Sequence, residues 1–84
     1  MLKEEQIKRR IHLSFDRHDI LKEESVEVRS YFEKIIRLTY QGLEMDNDGE
    51  KHTSSQNLKF AIEVTIYDDF QMIYEEAKRE AKRQ

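Results

Sequence analysis

Residues 58–67 read Leu-Lys-Phe-Ala-Ile-Glu-Val-Thr-Ile-Tyr. Taken alternately, Leu58, Phe60, Ile62, Val64 and Ile66 fall on one side, and Lys59, Ala61, Glu63, Thr65 and Tyr67 on the other. A sustained period of two, rich in β-branched and aromatic types, predicts a half-buried strand. The spacing changes directly afterwards. Asp68 and Asp69 offer an N-cap with Gln71 as capping-box partner, and Phe70, Ile73, Tyr74, Ala77 and Ala81 follow at helical intervals. Lys78, Arg79, Lys82 and Arg83 gather at the far end, where the helix dipole favours cations. A helix is expected over 69–83.

Upstream, residues 44–57 are polar and contain Asp46-Asn47-Asp48-Gly49, the composition of a loop with a hairpin about Asp48-Gly49. Asp19 to Gln41 carries Leu21, Val28, Phe32, Ile35 and Leu38 in a stripe and predicts one long helix. Its weak stretch is Ser25–Val28, and Gly42 would take the left-handed position that ends it. Earlier still, Ile11, Leu13 and Phe15 alternate with Arg10, His12 and Ser14, the pattern of a short strand, with a helical turn or two over 2–9. The expected fold is therefore α+β in the order β-α-(β)-β-α: a small two- to three-stranded sheet with two helices packed on one face. One compact domain is expected over 1–84.

Composition supports folding into few, long elements. The 84 residues include no proline and two glycines, and 37% hydrophobic content stands against 39% charged. With no cysteine, disulfides and thiolate metal sites are excluded. No apolar run approaches the roughly 20 residues of a bilayer span, and no signal-peptide core opens the chain, so a cytoplasmic protein is expected. A single core this small rarely supplies more than ~3–5 kcal/mol, which makes a homodimer or constitutive partner as expected as a monomer.

Net charge is −3 but unevenly spread: residues 1–17 carry +2, 18–50 carry −5, and 51–84 sum to zero. The Lys8, Arg9, Arg10 and His12 segment, read as a strand, has the logic of a β-ribbon entering a DNA groove, as in ribbon-helix-helix repressors. The resemblance stops at that strand, because a long helix and a further strand-helix unit follow. Overall acidity also opposes tight phosphate binding.

Other chemistry is poorly supported. Glu44 to Gly49 begins like a calcium loop, but counting from Glu44 the twelfth position is Ser55 instead of a bidentate glutamate. His12, Ser14 and Asp16 would stand about 6.6–6.8 Å apart along a strand, too far for a triad. The three histidines show no zinc-ligand spacing, and no phosphate-cradling glycine motif occurs, so neither metal nor cofactor is expected. Tyr31, Tyr40 and Tyr67 fall off the apolar stripes and, with Lys59 and Glu63 on the exposed side of the expected strand, form the candidate protein-contact set. The functional expectation is a small non-enzymatic protein-binding module, a stoichiometric regulator or inhibitor of the kind phages and mobile elements encode, acting in the host cytoplasm in that case. The alternative is a dimeric DNA-binding regulator using 8–14.

Overall fold

A computed structural model describes residues 1–46 and 52–83. Four α-helices are found there: α1 (Glu4–Asp16), α2 (Val26–Asp46), α3 (Ser54–Glu63) and α4 (Phe70–Arg83). A single 3₁₀ turn, Leu21–Glu23, leads into α2, and a π-helical turn, Val64–Asp68, joins α3 to α4. Among the described residues there is no strand and no sheet, so the expected α+β architecture is corrected to an all-helical one.

The stretch 58–67 shows why. Its buried residues are Leu58, Ala61, Ile62, Thr65 and Ile66, at helical spacings of three and four. Phe60 and Val64, which completed the alternation, are respectively 53% exposed and half-buried. Five apolar residues at every second position fit a strand, yet Ala61 and Thr65 supply the second row that a helix needs. The helix is also launched from its own sequence. Thr53 is extended at φ −77, ψ 162, its Oγ1 accepts from the Gln56 N–H at 3.1 Å, and Gln56 Oε1 accepts from the Thr53 N–H at 2.8 Å. That reciprocal pair is a capping box, which fixes the first turn of α3 inside the expected polar loop 44–57. At the other end of that loop, Glu44, Met45 and Asp46 belong to α2. The expected hairpin about Asp48-Gly49 lies outside the described residues.

The first strand is overturned in the same way. Ile7, Ile11 and Phe15 are buried at strict i+4 spacing along α1, while Leu13 is 43% exposed. Expectation and structure agree more closely for the later helices. α4 matches the predicted 69–83 closely. The long helix breaks at the weak stretch, with Ser25 Oγ accepting from the Val28 N–H at 3.2 Å and so capping α2. Gly42, expected to end that helix, lies within it.

α2 is the central element, packed along α3 and α4, with α1 laid against α2 and α3. Its buried row is Val28, Phe32, Ile36 and Tyr40. α1 runs antiparallel to α2: Leu2 N–H donates to Tyr40 Oη at 3.0 Å, Arg37 pairs with Glu4 at 2.7 Å, and His12 meets Glu33 at 3.0 Å. Phe70, at the head of α4, stacks between Phe32 and Tyr74 at 5.5 and 5.1 Å. Burying each large apolar side chain contributes about 1.5–3 kcal/mol before the entropy of ordering it is counted. The product is an elongated bundle of 41 × 21 × 20 Å. No helix among the described residues is long and apolar enough to cross a membrane.

Candidate functional site at the π-turn

A π-turn is a rare local departure from the α-helical ladder that is frequently found at functional sites. Here the Asp69 N–H reaches back five residues to the Val64 carbonyl at 2.8 Å, and Asp69 itself, at φ −106 and ψ 20, bends the chain into α4. The carbonyl of Ile66, inside the turn, accepts a hydrogen bond from His18 Nε2 at 3.1 Å. His18 Nδ1 accepts from the backbone N–H groups of Ile20 and Leu21 at 3.1 and 3.2 Å. Two donors facing Nδ1 and an acceptor facing Nε2 assign the neutral tautomer with its proton on Nε2. His18 thus caps the 3₁₀ turn and ties it to the π-turn. Its ring stacks on Phe70 at 4.8 Å and meets Tyr67 at 5.5 Å.

The surface above this arrangement is a depression of about 330 Å³ lined by Arg17, His18, Asp19, Ile20, Tyr67 and Phe70. Tyr67 is 59% exposed and Ile20 44%. A second depression of about 240 Å³ adjoins it between α1 and α3, with Arg10, Leu13, Arg17, Lys59 and Glu63 in its walls. Arg17 lines both, so the two form one continuous strip.

Of the expected protein-contact residues, Lys59, Glu63 and Tyr67 share that strip, because their i+4 spacing places them on one side of α3 and the turn after it. Tyr31 lies elsewhere, half-buried between α2 and α4, with its hydroxyl donating to Glu76 at 2.9 Å. Burial and the Glu76 carboxylate both oppose loss of its proton, the hydrogen bond to Glu76 most strongly, and its pKa is raised. Tyr40 is corrected outright: at 2% exposure it belongs to the core, with its hydroxyl donating to Glu44 at 2.7 Å. Burial chiefly raises its pKa.

The proposed DNA-contact set is dispersed by the helix that replaces the strand. Lys8 and Arg9 are exposed on α1, whereas Arg10 donates to Ser55 Oγ and to its carbonyl at 2.9 and 3.1 Å. His12 is engaged by Glu33, which Arg37 also holds at 2.9 Å. Burial raises the Glu33 pKa, but hydrogen bonds from His12 and Arg37 outweigh it and keep that carboxyl below the ordinary range. The β-ribbon mechanism is therefore overturned. Ser14, once placed beside His12 and Asp16, donates instead to the Arg10 carbonyl at 2.9 Å. Among the described residues no group of three or more acids or histidines could hold a metal ion.

Sequence reasoning missed Leu13, Arg17 and Ile20. The signal was present in Leu13, an apolar residue of α1 left off the i+4 row of Ile7, Ile11 and Phe15, and off-row apolar residues on a helix face solvent. Ile20 lies beyond α1, in the turn before Leu21, where no such row applies. No family model matches the chain, and no curated protein or solved structure matches it either.

Proposed function

We propose that the chain is a non-enzymatic protein-binding module, a stoichiometric regulator or inhibitor that docks through the strip centred on Tyr67. The observation that supports it best is an exposed tyrosine on a π-turn, flanked by the half-exposed Ile20 and Leu13, with Arg17 between two adjoining depressions. Tyrosine and arginine carry a disproportionate share of interface energy, and a ring with one apolar and one hydrogen-bonding end suits a surface that is wet when free and dry when bound. His18 favours binding over catalysis at this place. Both its nitrogens are taken by backbone groups, which leaves neither for a substrate proton.

Immobilised protein and a host-cell extract test the proposal. Tyr67→Ala should reduce capture of the most enriched protein by about ten-fold or more, with an unchanged melting temperature. Leu38→Ala, on α2 and outside both depressions, should capture normally. Equal capture by wild type and Tyr67→Ala removes this surface from the function.

A further inference from the structure

Charges along the strip are sorted by sign. Arg10 and Lys59 stand at one end, Arg17 and Glu63 in the middle, and Asp19 at the other end beside Tyr67. Asp68 follows Tyr67 and adds a second exposed acid there. The order follows from the helices themselves. α1 and α3 run in the same direction, Arg10 meeting Ser55 near the start of α3 while Arg17 and Glu63 share a depression near its end. Among the described residues Arg17, Lys59, Asp19 and Glu63 form no ion pair. Several other charges on α1 and α2 are internally matched, as in the Glu4–Arg37–Glu33–His12 chain.

A strip with a basic end, an acidic end, a mixed Arg17–Glu63 centre and apolar side chains on both sides of that centre is complementary to itself after a half-turn. We infer that it docks on a second copy of this chain in an isologous homodimer, with the two-fold axis near Arg17 and Glu63, an inference that rests on the protein-binding reading above. In that arrangement Lys59 faces Asp19 of the second copy, Arg17 faces Glu63, and Leu13 lies against the Tyr67 and Ile20 side, each contact occurring twice. Opposed charges fix the register, and burial of Leu13 against Tyr67 and Ile20 on either side of the axis supplies the attraction. The 41 × 21 Å side of the bundle is large enough for the roughly 800 Å² per partner of a standard interface. An 84-residue chain also has much to gain, since a small core leaves a large share of its surface in water. Because another protein would use the same Tyr67, self-association and partner capture exclude one another.

Sedimentation equilibrium of the full chain, from micromolar to millimolar concentration, reads this without any outside partner. The expected mass at the upper end is twice the 10.2 kDa of one chain. Lys59→Glu and Asp19→Lys should each raise the dimer dissociation constant by about ten-fold, and the double variant should restore it, with helical circular dichroism unchanged throughout. A monomer at millimolar concentration overturns the inference. So does a dimer indifferent to both reversals, or one that the double variant fails to rescue. Partner capture by the Tyr67→Ala variant is read separately: its loss alongside a strictly monomeric chain would sink the dimer and leave the binding function standing, while normal capture by a chain that dimerises as described would do the reverse.

Discussion

Thr65 is fully buried in the π-turn, and its Oγ1 has no hydrogen-bond partner. A buried hydroxyl without a partner costs about 1–3 kcal/mol in lost hydration. Valine has nearly the same shape without the polar atom. Thr65→Val should therefore stabilise the fold by about 1 kcal/mol, raising the melting temperature by about 4–8 °C in a domain of this size. A lower melting temperature in thermal denaturation would show that the hydroxyl is satisfied. At this scale the sequence was legible where a residue departed from an apolar row. Tyr67 was found that way and is exposed. Tyr40 was misplaced by the same rule, because its row was drawn from Phe32 through Ile35 and Leu38 instead of from Phe32 through Ile36, which stands four residues before Tyr40.

Among the elements, α2 carries a change whose sign is decided by space. Gly42 lies inside the helix, and a Cβ built on it meets nothing within 4 Å. Glycine in a helix interior is worth roughly 0.5–1 kcal/mol less than alanine, mainly through the entropy it loses on ordering. Gly42→Ala should raise the urea midpoint by an amount equivalent to that, with an unchanged slope. A fall would mean that the backbone there is not helical in solution. The expectation that Gly42 ended the helix rested on glycine's preference for the position just past a helix end and on Leu43 being placed to touch Leu38. Tyr40 and Glu44 stand four apart on α2 and meet at 2.7 Å. Nothing in the sequence, however, placed Glu44 against Asn57 of α3, at 2.8 Å, the contact that ties the last turn of α2 to the next helix. For 58–67 the fault was different. A run with apolar residues at 58, 60, 62, 64 and 66 and further small or β-branched residues at 61 and 65 satisfies both periods. Thr53 and Gln56, three residues apart before it, carried the deciding information. Caps were informative where periodicity was ambiguous: the helix at 69–83 was legible because its flanking acids, apolar rows and terminal bases agreed.

Over the whole molecule, three of the carboxylates that fasten the helices to one another have lowered pKa values. Glu24, just before α2, accepts from the Tyr74 hydroxyl of α4 and pairs with Lys78 at 3.4 Å. Glu33 joins α2 to α1 through His12. Glu44 joins α2 to α3 through Asn57 at 2.8 Å. Hydrogen bonds, from Tyr74 foremost at Glu24 and from Ser54 and then Tyr40 at Glu44, hold those two carboxyls below the ordinary glutamate value of 4.5, and Glu33 is lowered as well. A carboxyl whose pKa is lower folded than unfolded binds a proton more readily in the unfolded chain. Its stabilisation is complete above the unfolded value and is lost as pH falls through the folded one. Tyr31 and Tyr40 are shifted the other way, up from 10.0, so their contribution is complete below that value and is lost as pH rises through their folded pKa. Stability should thus be flat between about pH 5 and pH 9 as far as these groups are concerned, with falls beyond both ends. The acid fall belongs to three helix–helix ties at once, so it should be cooperative and should loosen α1 and α3 together with α4. Thermal melts followed by circular dichroism from pH 7 down to pH 3 would read it. In Glu44→Gln the acid slope should be shallower, because one proton-linked tie is gone, while the melting temperature at pH 7 is already lower. An acid slope identical to that of the wild type would mean that Glu44 has the same proton affinity in the folded and unfolded chains.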